Sequence, residues 1–325
     1  MPDARAEPSA KLRELTLEDL PPYGFMPDIW QSVSQDTTPS PFWRGTPGEW
    51  RVFVENLLGL VTQHVWPTYT RGRGWDAVPA RANAMALTTL ELDVMQELHA
   101  ARYRAAAWAG EGSTEEMLFN GEDDVLWDDS ILRHCPGLAF LRDPIRRLYY
   151  EMNDRRQRSV VLALKWRLQR PRAALVAYMQ GRPTWFWGTA KTAMSPSMIS
   201  GHAMQGCLLG CVVFAYLNRH EKELAKKYRE ALQRWTMGIG DRRVLAGVHY
   251  PSDNIASWMV ATRLVPALVH DAAVPEFLAE AIETASDIAA ELRLVAGQSR
   301  GGPLQAPLAG LDAALSEMRG RAPSK

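Results

Sequence analysis

Apolar residues recur at three- and four-residue spacing along most of this chain, and alternation with a period of two is nearly absent. That pattern predicts helices rather than strands and sets the fold class as all-α. In "GEWRVFVENLLGLVTQHVW", Trp50, Phe53, Leu57, Leu60 and Val61 fall near one helical face. "AVPARANAMALTTLELDVMQELHAARYRAAAW" reads as one or two further helices. The basic stretch "LRDPIRRLYYEMNDRRQRSVVLALKWRLQRPR" predicts a helix that ends at Pro171, because the residue before a proline is pushed out of α geometry. Beyond it the spacing predicts a helix opening after Ser200-Gly201-His202, an amphipathic helix around 220–237, a helix from about 252 to 270, and one more across "VPEFLAEAIETASDIAAELRLVAG".

Between these runs the patterning weakens. Residues 1 to about 45 are Pro-rich and read as an irregular arm. "GEGSTEEMLFNGEDDVLWDDS" is acidic and Gly-containing, which marks a solvated surface loop. A Trp- and Gly-rich loop, Trp185 to Gly188, precedes the Ser-Gly-His stretch; the longer "PTWFWG", Pro183 to Gly188, reads first as rings packed on the core and second as an apolar entrance. From Gly297 the chain is rich in Gly, Pro and Ala and is expected to form a flexible tail. The expected organisation is therefore an N-terminal arm and helical extension over 1–140, a helical bundle over 141–296 and a flexible C-terminal tail over 297–325. No fixed-period repeat interrupts it.

Composition narrows the function classes. With 325 residues, 46% hydrophobic and 23% charged, the chain is long enough to bury a sizeable core. Its 37 basic and 37 acidic side chains cancel, so no electrostatic footprint for nucleic acid or an anionic membrane is expected. The longest apolar run, Ala203 to Leu217, is too short for a span of roughly 20 residues and contains Gln205 and Gly206. The next, "IASWMVATRLVPALVH", is broken by Arg263 and Pro266, so no transmembrane insertion is expected and the protein reads as soluble. The N-terminus shows no apolar core of a secretory signal. Three cysteines, Cys135, Cys207 and Cys211, make a disulfide framework unexpected and point to a reducing, cytoplasmic setting. Cys207 and Cys211, four apart on one helix, read as buried thiols rather than a metal pair.

Three separate stretches carry complementary chemistry. "KWRLQRPR" sets Lys165 and Arg172 seven apart; Ser200, Gly201 and His202 precede an apolar helix; and "RVLAGVHYPSD" places Arg243 six before His249 and Asp253 four after it. Singly, each has a plain reading: a solvated basic face, a helix cap, a capping carboxylate beside Pro251. Jointly, Lys165, Arg172 and Arg243 suit a tetrahedral oxyanion, with arginine forks matching its oxygens. The Gly201 amide at a helix N-terminus and the Ser200 hydroxyl add donors. Asp253 is placed to hold a ring N–H of His249, which fixes the tautomer. A serine-hydrolase reading of Ser200 lacks the G-x-S-x-G elbow.

The ordered set K-x6-R, SGH, R-x5-H-x3-D resembles the signature of the type 2 phosphatidic acid phosphatase and vanadium haloperoxidase superfamily, over Lys165 to Asp253. The resemblance implies a helical bundle of the acid phosphatase/vanadium haloperoxidase type around an oxyanion pocket. It implies that Lys165, Arg172, Ser200, Gly201 and Arg243 bind phosphate or vanadate and that His249 is the nucleophile of a phosphatase or the ligand of a bound vanadate. His202 would be the general acid and Asp253 would orient His249. The chain departs from the family pattern at Ala173 and Ile199, where proline is usual, and at Arg242, where a small residue is common. A register using Arg170-Pro171 breaks the seven-residue spacing from Lys165, so Arg172 takes the family's arginine.

Ser195, five before the motif serine, stands where related haloperoxidases often carry an aromatic or His, and "HYPSD" has phosphatase-like wording. The pair Lys165-Trp166 is haloperoxidase-like. The expectation is a soluble phosphatase acting on a small phosphate ester without a cofactor. A vanadate-dependent haloperoxidase using peroxide, halide and an organic substrate is the alternative, and a non-catalytic phosphate-binding scaffold the third. The family and the apolar helices are compatible with a homodimer.

Overall fold

A computed structural model describes residues 15–22, 38–40, 42–109, 131, 134–152, 155–182 and 195–320. The acidic stretch at 110–130 and the "PTWFWG" segment, Pro183 to Gly188, lie outside the described residues, as does most of the N-terminal arm. The fold is all-α, with one short antiparallel pairing among the described residues, β1 (Tyr69–Thr70) with β2 (Gly74–Trp75). The helices are α1 (Pro47–His64), α2 (Ala80–Ala109), α3 (Arg142–Met152), α4 (Arg155–Leu168), α5 (Ala173–Met179), α6 (Gly201–His220), α7 (Lys222–Leu245), α8 (Pro251–Leu268), α9 (Val274–Glu280), α10 (Asp287–Ala296) and α11 (Gln305–Gly320).

Local chemistry sets the helix starts. Thr46 Oγ1 accepts the Glu49 amide at 3.2 Å while the Glu49 carboxylate takes the Thr46 amide at 2.7 Å, with Pro47 in the first helical position of α1. Ser200 caps α6 through the Ala203 amide at 3.3 Å. Buried Trp50, Leu57, Leu58 and Val61 give α1 its inward stripe. These residues and those of α4, α6, α7, α8 and α11 share one hydrophobic core, so the N-terminal helices pack into the bundle.

The centre is the antiparallel pair α6 and α7, with α8 laid against it. Its closeness depends on glycine: a Cβ at Gly206 would lie 2.8 Å from the Thr236 carbonyl oxygen, and one at Gly240 would lie 2.7 Å from the Ala203 Cβ. The helix expected around 220–237 therefore continues through Gly238 and Gly240 to Leu245. Glycine's cost of about 1 kcal/mol in a helix is offset by the burial of Ile239, Val244 and Leu245 on either side. Gly206→Ala should lower stability by about 1–3 kcal/mol in urea denaturation, because a backbone oxygen cannot swing aside.

Two expectations change. The single helix over "VPEFLAEAIETASDIAAELRLVAG" is two, α9 and α10, separated by a π-type turn at Ala281–Ala285. Ser286 starts the second by accepting the Ala289 amide at 3.0 Å, a local bond that outcompetes continuing the first helix. The expected flexible tail is instead a 3-10 turn, Ser299–Leu304, followed by α11. Leu304, Leu308, Leu311, Leu315 and Met318 recur at helical spacing and are buried against the bundle, which outweighs the Gly and Pro content.

Asp241 of α7 sits buried beneath the start of α10, accepting the Ser286 hydroxyl at 2.9 Å and the Ile288 amide at 3.4 Å. Burial pushes its carboxyl up to about 7, against the hydrogen bonds from Ser286 and Ile288. A carboxyl raised in the folded state contributes stability below its ordinary value of 3.8 and loses it as pH rises through about 7. Asp241→Asn should therefore gain on the wild type by roughly 4 kcal/mol at most between pH 4 and pH 8, read as parallel denaturation curves across that range.

Among the described residues no helix is long and apolar enough to cross a membrane. Cys135, Cys207 and Cys211 are all buried and free, and burial raises each thiol above its ordinary range.

Candidate active site

The end of α4 delivers the first cations. Its buried stripe of Val161, Leu164 and Leu168 includes Lys165, so this lysine does not belong to a solvated face. The indole N–H groups of Trp66 and Trp75 both donate to the Leu168 carbonyl, at 3.1 and 3.2 Å, satisfying one of the orphan acceptors at the helix end. Gln169 then takes a left-handed backbone, φ 48°, which turns the next residue inward. Arg170 points one way and Arg172, after the stiff Pro171, points the other. Ala173 fills the first position of α5, where a proline would also fit, so this departure from the family pattern leaves the loop path intact.

Arg172 faces the histidine. Its Nη1 lies 3.2 Å from His249 Nε2 and also donates to the Val248 carbonyl at 2.7 Å; its Nε and Nη2 donate to the backbone oxygen and Oγ of Ser195. Ser195 thus anchors the arginine and places a hydroxyl, not a ring, beside it. Lys165 Nζ donates to the carbonyls of Pro196 and Ser197, the latter at 3.0 Å. The Arg243 carbonyl accepts the Val248 and His249 amides at 3.0 and 3.2 Å, so the end of α7 is tied to the histidine loop.

Asp253 serves both as cap and as partner. Its Oδ2 accepts the Tyr250 amide at 3.0 Å, the Ser197 hydroxyl, and His249 Nδ1 at 3.1 Å. An ionised carboxylate only accepts, so Nδ1 carries the hydrogen and Nε2 presents its lone pair toward Arg172. Ser200 is joined to the same helix: the Ser257 hydroxyl shares its one proton between the carbonyl oxygens of Ser200 and Asp253, 2.8 and 2.7 Å away. Gly201 and His202 occupy the first turn of α6 and are half-buried, next to the fully buried Ser200.

Positive charge surrounds His249: Arg172 lies 3.2 Å from its Nε2, and Lys165 acts on the ring as well, against the Asp253 carboxylate. Burial and the neighbouring Arg172 depress both Lys165 and His249 well below their ordinary values, and Asp253 opposes this only in part. Burial brings Arg243 down to about 10. For Asp253 burial works upward, but Arg170 and the bond to His249 outweigh it and hold the carboxyl far below the carboxylate range.

Sequence reasoning missed a layer behind this pocket. Arg170 is completely buried, its guanidinium over the rings of both Trp66 and Tyr250, 4.5 and 3.8 Å from their centroids. Nη1 donates to Asp253 Oδ1 at 2.9 Å and Ser252 Oγ at 2.8 Å; Nη2 donates to Glu91 Oε2 at 2.7 Å and Thr88 Oγ1 at 3.1 Å. Glu91 also accepts the Ser252 amide and, at 2.9 Å, its hydroxyl. The cue was present in α2, where Glu91 interrupts an apolar stripe of Leu87, Val94 and Met95.

The site is thus an all-helical bundle in which a His-Asp pair, joined at 3.1 Å, lies beside the buried Arg172, 3.2 Å from the ring. Residues 157–273 match the family model described as PAP2 superfamily. The match includes Lys165, Arg172, Ser200 to His202, Arg243, His249 and Asp253, and excludes Trp66, Trp75, Thr88 and Glu91. No curated protein and no solved structure shows significant similarity to the chain.

Proposed function

We propose that the protein is a phosphatase that hydrolyses a small phosphate ester through a phosphohistidine. The observation that supports this reading most directly is the orientation of His249: Nδ1 on Asp253, Nε2 toward Arg172 3.2 Å away. In this reading Lys165, Arg172, Arg243, Ser200 and the Gly201 amide bind the phosphate oxygens. His249 Nε2 attacks phosphorus and the ester P–O bond breaks, its electron pair leaving on oxygen, which takes a proton from His202. Water, giving a proton to the now neutral His202, then attacks phosphorus; the P–N bond breaks with its electron pair returning to Nε2, and inorganic phosphate leaves with both histidines restored. Asp253 stabilises the positive charge that His249 carries between the two steps.

The positive charge around His249 favours a dianionic ligand, whose arrival raises the depressed proton affinity of Lys165. The same donors fit orthovanadate, which His249 would ligate and which would supply peroxide activation in a haloperoxidase. Ser195, a small residue bound to Arg172, favours the phosphatase because it leaves room for a leaving group. The deciding assay is p-nitrophenyl phosphate hydrolysis with and without orthovanadate. Turnover that vanadate inhibits supports the proposal. No turnover, with bromide oxidation by the vanadate-loaded protein and peroxide, overturns it.

A further inference from the structure

The phosphoryl-transfer scheme leaves unused the closed cluster of Thr88, Glu91, Arg170 and Ser252. We propose that Glu91 and Arg170 are positioning residues: Arg170 fixes the orientation of the Asp253 carboxylate, Glu91 shares its guanidinium charge, and together they set how Asp253 holds His249. The inference rests on the reading of His249 as the nucleophile.

The geometry carries it. Asp253 is held by its two oxygens from opposite sides. Oδ2 takes His249, Tyr250 and Ser197, and Oδ1 takes Arg170. A carboxylate gripped at both oxygens cannot rotate about χ2, so the Nδ1–H···Oδ2 direction is fixed. Arg170 is immobilised in turn, lying over the rings of both Trp66 and Tyr250 and bonded at both Nη atoms. Ser252 links the two carboxylates a second time, because its neighbour in sequence is Asp253 while its amide and hydroxyl donate to Glu91.

Charge sharing follows from the same contacts. One guanidinium sits between two carboxylates, at 2.7 Å from Glu91 and 2.9 Å from Asp253, and all three side chains are fully buried. In so weakly screened a place the full charge of Arg170 acting on Asp253 alone would make it a poor acceptor for His249. Glu91 takes part of that charge and leaves Asp253 basic enough to support a cationic imidazole. Glu91 lies on α2, outside the matched family segment, so in this proposal a helix of the extension helps to position the dyad.

Two variants separate positioning from mere support. Glu91→Gln directs the whole guanidinium charge at Asp253. It should lower kcat for p-nitrophenyl phosphate about 10–100-fold while changing KM by less than about threefold, as outer-shell replacements do. The acid limb of its kcat/KM profile should move to lower pH, because His249 then binds its proton less well. The pair Glu91→Leu with Arg170→Met removes both charges, a replacement that buried ion pairs often tolerate. Its acid limb should move the opposite way, to higher pH. Independently of turnover, the Nδ1–H proton resonance of His249 should shift upfield in the first variant and downfield in the second. That readout stands even if the wild type hydrolyses no ester, so failure of the phosphatase reading and failure of this one are distinct. Folded variants that leave the pH limb and the His249 resonance at wild-type positions overturn the proposal, as does failure of both variants to fold, which would assign the network to stability alone.

Discussion

His249→Ala is expected to lower kcat for the proposed phosphate-ester hydrolysis by roughly 10⁴-fold or more, since in that scheme no bond to phosphorus forms without the imidazole. Binding of inorganic phosphate should change far less, within about tenfold, because the cations that face the anion remain. That division, chemistry lost and oxyanion binding kept, separates a nucleophile from a binding residue. The pH profile adds a second check. Burial and Arg172 hold His249 neutral well below its ordinary value of 6.5, so the wild-type acid limb should lie below pH 6.5 and activity should persist into mildly acid solution. Steady-state kinetics from pH 4 to 8, with phosphate titrated calorimetrically into the variant, measures both.

The largest stability effect is expected at Arg170. Its removal as Arg170→Ala leaves Glu91 and Asp253, both 0% exposed, without their shared cation. A buried carboxylate deprived of its partner costs several kcal/mol, and the two rings that the guanidinium overlies lose contact as well. Stability should drop by about 3–5 kcal/mol in urea denaturation. Exposed pairs behave differently: cutting Arg300 from Glu97 on the surface should cost about 0–1 kcal/mol, because water solvates what is left. If both changes cost alike, the buried network is not what ties α2 to the site.

The contacts of the candidate site that were legible are local patterns. The Ser200 cap and the four-residue step from His249 to Asp253 each follow from one turn, and the step from Lys165 to Arg172 crosses a single helix end. What escaped was made by distance. Arg170 meets Glu91 across 79 positions and Thr88 across 82, and no spacing rule joins such residues. Arg170 also looked like a misplaced copy of Arg172, since both flank Pro171. In space they lie back to back, one toward Asp253 and the other toward His249 Nε2. The C-terminal helix escaped for another reason: Gly and Pro content was weighed above the leucine spacing that builds α11.

The shared Leu168 carbonyl has a consequence for how such a protein is engineered. Two indoles from before the matched segment close the end of α4 within it, at 3.1 and 3.2 Å. A gene fragment cut at the limits of sequence similarity would carry the motif residues yet present that helix end, and Arg170 behind it, to solvent. The physical unit of this site is therefore longer than the matched segment, and transplanting it into another scaffold requires Trp66, Trp75 and Glu91 to travel with it.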